Sequence, residues 1–219
     1  MSSQPSVIVL AAGQGSRFAG PEHKLAQRLG DASVLSATLA NALASRLRVI
    51  VVTTEAFAEV ARSSVAARDV VVLPQVGTPG AGHLGMGVSI AAGANACPDS
   101  GGWLVLPGDM PLVRPATIAA VALVLDHHPV AFAQHHGRRG HPVGFAAELY
   151  SELAALSGDE GARRLVARYP AFALELDDPG VLIDIDTEDD LIAARLGARD
   201  AANDRELAAP AELSARFRP

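Results

Sequence analysis

A short apolar run that ends in a glycine-rich loop, near the N-terminus, constrains the fold of this chain more than any other stretch. Residues 7–10 read Val-Ile-Val-Leu, which is typical of a strand buried on both faces. The loop that follows is almost bare backbone, and its smallest side chains belong to Ala11, Ala12, Gly13, Gly15 and Ser16. A strand that ends in such a loop lets backbone N–H groups close around an anion.

Two cations accompany this loop. Arg17 lies within it and Lys24 follows it, so both would neutralise a bound anion. The loop lacks the Gly-Lys-Ser/Thr of a Walker A motif and the third glycine of the dinucleotide fingerprint. The sequence therefore favours a polyphosphate ligand, and the alternative is an ordinary turn that uses glycine for positive φ.

Strand and helix patterns alternate along the chain. Predicted strands cover residues 48–53, 70–73, 102–106, 130–133, 172–176 and 181–185, and predicted helices cover 34–47, 55–67, 88–96, 115–125, 147–156 and 162–168. A capping box at 157–160, Ser-Gly-Asp-Glu, is expected to start the last of these helices. The alternation predicts an α/β fold whose parallel strands are joined by right-handed crossovers. Ligands of such sheets bind at the carboxyl ends of the strands, where the glycine loop lies.

Composition narrows the class of partner. The 219 residues are 49% hydrophobic but only 4% aromatic, and the formal net charge is −6. Nucleic acid is not an expected partner, because the chain shows neither a basic stripe nor an aromatic stacking platform. We also expect no signal peptide and no membrane segment. Cys97 is the only cysteine, which excludes an intrachain disulfide, fits a cytoplasmic location and favours a buried small hydrophobe over a nucleophile.

A carboxylate follows the predicted strand at 102–106. Asp109 lies in the turn Pro-Gly-Asp-Met-Pro, residues 107–111, and so points at the active edge of the sheet. An Asx turn would explain this aspartate without any ligand. Beside a polyphosphate loop the metal interpretation gains weight, because Mg²⁺ is bound by one or two carboxylates together with phosphate oxygens.

Histidines and arginines cluster in a glycine-containing segment at residues 134–145. The spacing of these histidines matches no common zinc finger, and no cysteine or carboxylate lies among them, so the sequence does not favour a zinc site here. A cationic pocket formed by Arg138, Arg139 and His141 would suit a second, anionic substrate. The alternative is an exposed basic hairpin.

Two further carboxylates precede the last predicted helix. Asp184 and Asp186 occupy alternate positions of the strand predicted at 181–185 and just beyond it, so we expect them on one face. Thr187 and Asp190 form a capping signal for a helix that runs to Leu196. The two aspartates could therefore simply flank this cap.

Five segments, in order, resemble motifs of one family. They are the loop Leu-Ala-Ala-Gly-x-Gly-x-Arg-Phe-x-Gly with Lys24, then Gly-Met-Gly-x-Ser at 85–89, Gly-Asp-Met-Pro at 108–111, Gly-His-Pro at 140–142 and Asp-x-Asp-Thr at 184–187. Together they cover about residues 7–196 and resemble the molybdenum cofactor cytidylyltransferase (MocA-like) family of the MobA-like NTP transferase superfamily. Ala12 matches the cytidylyltransferase form of the loop, whereas guanylyltransferases usually have Ala-Gly-Gly.

The resemblance implies an α/β fold of three layers, α/β/α, with a Rossmann-like, mostly parallel sheet of the nucleotide-diphospho-sugar transferase type. It implies a Mg²⁺- or Mn²⁺-dependent enzyme that transfers CMP from CTP to the terminal phosphate of molybdenum-bound molybdopterin and releases pyrophosphate. The partners expected from it are an NTP, with CTP first, a phosphorylated pterin acceptor, and a molybdoenzyme or its chaperone.

The resemblance also assigns residues. Nucleotide binding falls to Ala11, Ala12, Gly13, Gly15, Ser16, Arg17, Lys24, Gly87 and Ser89. Catalysis falls to Arg17, Lys24 and Asp109, acceptor binding to Arg139, Gly140, His141 and Pro142, and metal binding to Asp109 and Asp186. The alternative to nucleotide binding is that the Ser89 hydroxyl accepts hydrogen bonds from unpaired amides at a helix N-terminus.

Two alternatives and a domain division complete the sequence-based expectations. The same fold could serve a guanylyltransferase or a sugar- or alditol-phosphate nucleotidyltransferase, and a non-catalytic nucleotide-binding protein that delivers cofactor is the alternative from another class. Residues 1–197 are expected to form one domain, with its nucleotide-binding part at about 1–112 and its acceptor-binding part at about 113–197. Residues 198–219 are expected to be a tail.

Overall fold

The computed structural model describes residues 3–15, 18, 22–74 and 85–196. Its strands are β1 Ser6–Ala11, β2 Arg28–Leu29, β3 Ala32–Ser33, β4 Arg48–Thr54, β5 Val70–Leu73, β6 Gly102–Pro107, β7 Val130–His135, β8 Arg138–Ala146 and β9 Ala171–Glu175. Its helices are α1 Val34–Ala44, α2 Glu55–Ser64, α3 Met86–Asn95, α4 Pro115–Val124, α5 Tyr150–Ala154 and α6 Arg163–Arg168, followed by a helix over 188–196. The tail predicted from residue 198 lies outside the described residues, as do residues 75–84, whose sequence is rich in glycine.

Seven strands form one sheet in the order β5-β4-β1-β6-β8-β7-β9, and β2 and β3 form a separate small ribbon. β5, β4, β1 and β6 run parallel to one another, as the sequence predicted. β8 runs antiparallel to both β6 and β7, and β9 pairs with β7 in parallel. The predicted mostly parallel, Rossmann-like α/β sheet is therefore confirmed.

Helices cover both faces of the sheet, because successive side chains of each central strand point to opposite sides. Val7 and Val9 of β1 belong to a core with α1 and α4, whereas Ile8 belongs to a second core with α3 and α5. All three side chains are fully buried. The three-layer arrangement thus follows from a β1 that is apolar on both faces.

Local signals explain where several helices begin and end. The Ser33 hydroxyl accepts a hydrogen bond from the Ser36 amide at 3.1 Å and so caps α1. α1 stops at Ala44, three residues before the predicted end, and Arg46 has φ +63° in the left-handed conformation that commonly terminates helices. No helix within the described ranges is both long and apolar enough to cross a membrane.

The segment at 134–145, for which the sequence predicted no strand, is largely extended. Most of it is β8, which forms a hairpin with β7. Pro142 is tolerated there because the register between these strands shifts at a bulge between Phe132 and Gln134, and proline in strands is confined to such places. The peptide bond between His141 and Pro142 is cis.

Two other expectations were wrong. Residues 181–185 are not a strand: a 3-10 turn covers Pro179–Leu182, because Asp178 accepts a hydrogen bond from the Gly180 amide and caps it. The capping box at 157–160 is also absent, since α6 begins at Arg163 and no side chain caps its N-terminus. The 157–158 backbone instead packs against the start of α3, where the Gly87 amide donates to the Gly158 carbonyl at 2.9 Å.

Candidate active site

The glycine loop lines a cavity of about 300 Å³ at the carboxyl end of β1, which we call the smaller cavity. Ala12, Gly13 and Gly15 contribute to its wall. Ala11 is only 1% exposed and belongs to the core beside β1. The predicted site residues Ser16 and Arg17 lie outside the described residues.

The turn that carries Asp109 is held at three points. The Gly108 amide donates to the Leu10 carbonyl at 2.8 Å, and the Gly108 carbonyl accepts from the Thr38 hydroxyl at 2.9 Å. The Asn41 side-chain amide donates to the Pro111 carbonyl at 2.8 Å. These contacts tie the turn to β1 and α1, so they fix the carboxylate at the edge where the glycine loop begins.

Asp186 reaches the same place from the other end of the chain. The Ile185 amide donates to the main-chain carbonyl of Asp109 at 2.9 Å. Immediately afterwards, Asp190 accepts from the Thr187 amide at 2.8 Å and the Asp190 amide donates to the Thr187 hydroxyl at 3.2 Å. The predicted cap is therefore confirmed, and it anchors the segment that presents Asp186.

Lys24 joins the two carboxylates. Its Nζ lies 2.5 Å from Oδ2 of Asp109 and 2.5 Å from Oδ1 of Asp186, so these oxygens are no more than twice that distance apart. The three side chains are only 12–15% exposed. Burial alone would lower the pKa of Lys24, but the charges and hydrogen bonds of Asp109 and Asp186 outweigh it and raise the pKa.

The carboxylates also have the chemistry that a hard divalent cation requires. Oδ1 of Asp109 is buried without a hydrogen-bond partner in the part of the chain that the structure describes, which is unusual for a carboxylate oxygen. Within the same residues, no group of three or more His, Cys, Asp or Glu could hold a metal ion. Asp109 and Asp186 therefore fit Mg²⁺ or Mn²⁺ in company with further oxygens, from water or from a ligand such as a phosphate.

The start of α3 borders the smaller cavity. Ser89 and Met86 line it, and Ser89 is 7% exposed. Gly87 does not line it: a Cβ on Gly87 would lie 2.6 Å from the Ser157 carbonyl oxygen, so close packing accounts for this glycine. The nucleotide-binding role assigned to Gly87 stays a prediction.

A second cavity of about 750 Å³, the larger cavity, adjoins the first. The two share three lining residues, Met86, Pro107 and Asp109. Of the predicted acceptor residues, Arg139, Gly140 and His141 line the larger cavity, whereas Pro142 does not. Asp184 also lines it, so Asp184 and Asp186 face different cavities rather than one face of a strand.

Arginines give the larger cavity its positive charge. Arg138, Arg139 and Arg163 line it, and the guanidinium of Arg139 lies 4.7 Å from the centre of the Phe132 ring. Burial and the charge of Arg163 lower the pKa of Arg139. Burial, and then the charge of Arg139, lower the pKa of His141 to about 4. Near pH 7 this ring is neutral, so it offers hydrogen bonds rather than charge.

Acidic groups offset this charge: with Asp109, four carboxylates line the same cavity as the three arginines. Asp159, Glu160 and Asp184 line the larger cavity with the arginines. Burial, followed by the nearby charges of Asp186 and Asp109, raises the pKa of Asp184.

Sequence reasoning missed two residues that build the site. The His23 ring lies in the wall of the smaller cavity. Its Nδ1 accepts a hydrogen bond from the Leu25 amide at 3.2 Å, so the ring proton is on Nε2. That Nε2 lies 3.0 Å from the Gly13 carbonyl oxygen. Its ring also packs on Phe57, with 4.8 Å between ring centres. The one feature of the sequence that could have indicated a role for His23 is that it directly precedes Lys24.

Asp178 is the other residue that the sequence did not reveal. It is 2% exposed and accepts hydrogen bonds from the Arg114 amide at 2.9 Å, the Thr117 hydroxyl at 2.6 Å and the Gly180 amide at 3.1 Å. These bonds fasten the segment before Asp186 to the start of α4. A Pro-Gly pair directly after an aspartate was the available signal.

Known proteins share this architecture. Rv0371c from Mycobacterium tuberculosis H37Rv is 30% identical, with a TM-score of 0.73 over 89% of this chain and 99% of that one. A structure of the same protein in complex with manganese is 29% identical, with a TM-score of 0.70 over 90% and 100% of the two chains. A nucleotidyl transferase from Methanothermobacter thermautotroptrophicus (Mth528) is 25% identical, with a TM-score of 0.74 over 90% and 99%.

A curated relative matches in sequence. The bifunctional protein GlmU from Alkalilimnicola ehrlichii is 34% identical over 129 residues, which are 58% of this chain and 26% of that protein. The chain thus spans about a quarter of this relative. The MobA-like NTP transferase domain matches residues 7–173. This range includes most of the described sheet and most of the lining of both cavities, but it ends before Asp184 and Asp186. On the strength of that match, this chain belongs to the MobA-like NTP transferase domain family.

Proposed function

We propose that this protein is a metal-dependent nucleotidyltransferase of the molybdenum cofactor cytidylyltransferase type. It transfers CMP from CTP to the terminal phosphate of molybdenum-bound molybdopterin and releases pyrophosphate. The observation that carries the proposal is the position of Asp109, which lines both cavities and shares Lys24 with Asp186. One carboxylate thus borders the places where two substrates would meet.

The smaller cavity takes the nucleotide. Ala12, Gly13 and Gly15 bring bare backbone to its wall, and Lys24 brings a cation, so the triphosphate lies against the end of β1. Asp109 and Asp186 would hold Mg²⁺ or Mn²⁺, which supplies charge neutralisation on the phosphates when it is bound. The protein from M. tuberculosis that has been solved with manganese is consistent with such an ion.

The larger cavity takes the acceptor. Arg139, with its neighbours Arg138 and Arg163, binds the acceptor's phosphate, while the neutral His141 ring and the Gly140 backbone orient it. An acceptor phosphate oxygen forms a bond to the α-phosphorus of CTP as the bond to the β-phosphate oxygen breaks. Pyrophosphate leaves with that bonding pair, and no covalent enzyme intermediate is needed because positioning and charge stabilisation supply the catalysis.

The choice of CTP rests on the resemblance of the Ala-Ala-Gly loop, and binding measurements test it directly. We expect CTP with Mg²⁺ to raise the melting temperature more than ATP, GTP or UTP does, because a ligand of the native state stabilises it. We also expect pyrophosphate release only when molybdenum-bound molybdopterin is present.

A pair of aspartate variants separates catalysis from folding. Asp109→Ala should keep the fold but lose at least about a hundredfold of the pyrophosphate release, since one of the two carboxylates that would hold the divalent ion is gone. Asp31→Ala is the matched control, because Asp31 is exposed at the turn between β2 and β3 and touches neither cavity. An active Asp109→Ala variant would contradict the proposal.

The same assays distinguish the alternatives. A selective response to GTP would indicate a guanylyltransferase, and turnover with sugar or alditol phosphates instead of the pterin would indicate another acceptor class. Nucleotide binding without any pyrophosphate release would favour a non-catalytic delivery protein.

A further inference from the structure

Lys24 is the only lysine in the 219 residues, and every other strongly basic side chain is an arginine. The two differ in a way that matters at this site. Arginine holds carboxylates through a rigid planar fork, whereas lysine is a compact point charge on a flexible stem that changes partners readily. The single lysine of the chain stands between the two carboxylates that fit a divalent ion.

The position of Nζ makes it a competitor of such an ion. It lies 2.5 Å from one oxygen of each carboxylate, and an oxygen-bound Mg²⁺ would require a similar distance of about 2.1 Å. A cation bound by both of these oxygens would therefore lie against the ammonium group. Because like charges at such separations repel strongly in a partly buried site, both cannot hold these oxygens together.

The smaller cavity offers the ammonium another partner. The same cavity is lined by Lys24 and by the backbone of Gly13 and Gly15, on which the proposed triphosphate would rest. Because Lys24 and these glycines line one cavity, a phosphate oxygen bound there would be a second partner for the flexible lysine side chain. The lysine can then leave the carboxylates without losing its counter-charge.

We propose that Lys24 is an exchangeable cation that occupies the divalent metal position until a nucleotide triphosphate draws it away. The metal then binds with the nucleotide or after it, and the free protein discriminates against divalent ions. This inference rests on the proposed nucleotide site and adds an order of binding to it. Its function is to keep the buried carboxylates paired between turnovers, since an unpaired buried charge is costly.

Manganese binding without nucleotide tests the competition, with no need for activity. We expect Lys24→Met to bind Mn²⁺ at least about tenfold more tightly than the wild type by electron paramagnetic resonance titration, because the competing charge is gone. Addition of CTP should tighten Mn²⁺ binding in the wild type and close most of that gap. Arg68→Met is the control: it removes the same charge from an 83% exposed side chain, two residues before β5 begins.

The single lysine permits a second measurement on the unaltered protein. Wild-type protein labelled with 13Cε-lysine should give one lysine cross-peak, which stays in place when Mg²⁺ alone is added and shifts when CTP and Mg²⁺ are added together. This measurement needs no variant, so it tests whether Lys24 changes partners even if Lys24→Met does not fold.

The outcomes separate this inference from the function on which it rests. Equal Mn²⁺ affinities of the wild type and Lys24→Met without nucleotide, or a cross-peak that moves with Mg²⁺ alone, would overturn the exchange. A nucleotide that raises the melting temperature while the lysine cross-peak stays fixed would overturn it too, and leave the proposed function standing. No response of either signal to any nucleotide would remove the nucleotide site and the exchange together.

Discussion

The His141 ring should make the protein lose stability as the pH falls. Its pKa is lowered from 6.5 to about 4, first by burial and then by the charge of Arg139. In the unfolded chain the ring has its ordinary pKa of about 6.5. Between pH 6.5 and pH 4 the ring is protonated in the unfolded state but neutral in the folded state, so a fall in pH favours unfolding.

The size of the effect follows from these two pKa values. Stability is intact above about pH 6.5 and is lost progressively as the pH falls towards about 4. Proton linkage gives a loss of about 2 kcal/mol between pH 7 and pH 5, and about 3 kcal/mol once the pH is below both values. This is a large share of the free energy of unfolding of an ordinary domain.

Urea unfolding at pH 7 and pH 5 measures this loss. His141→Gln keeps a polar side chain that does not titrate, so the variant should lose about 2 kcal/mol less than the wild type over this interval. The comparison cancels the other titrating groups, which both proteins share. His127→Gln serves as the control, since His127 is exposed on the turn after α4. Equal losses in the wild type and His141→Gln would refute the reasoning.

Two further predictions concern the scaffold. Asp178→Ala should lower the free energy of unfolding by about 3 kcal/mol or more in urea titrations, because two buried donors and one partly buried donor lose their acceptor; a loss below about 1 kcal/mol would count against its role. Gly87→Ala should destabilise by about 1–3 kcal/mol, since its Cβ would meet the Ser157 carbonyl at 2.6 Å. Gly13→Ala is its matched control, with no atom within 4 Å of the new Cβ, and equal melting temperatures for the two alanine variants would contradict the packing argument.

The parallel half of the sheet could be predicted because its strands are apolar on both faces. The predicted bounds of β5 agree with the structure, and those of β4 and β6 differ by one residue. No strand was predicted over β8, because it contains Gly140 and Pro142, which are uncommon in strands. Only the tertiary pairing with β6 and β7 makes that segment extended.

The site could be predicted less completely. The approach of Asp109 and Asp186 follows from a carboxylate at a strand end and from a resemblance, and the structure brings both to Lys24. Their metal-binding role stays a prediction. His23 and Asp178 were missed although each had a local signal, because their contacts with Gly13 and Thr117 join residues ten or more positions apart. Such contacts leave no periodic pattern to detect.

The division of the two cavities along the chain bears on how relatives of this protein could diverge. Apart from Asp186, the smaller cavity is built before residue 110, whereas its larger neighbour draws its arginines from β8 and from the start of α6. Substitutions in the β7–β8 hairpin and in α6 could therefore change which acceptor is bound, while the glycine loop that binds the nucleotide stays the same. Relatives can in this way combine the same phosphate-binding loop with different acceptors, as long as Asp109, which lines both cavities, is retained.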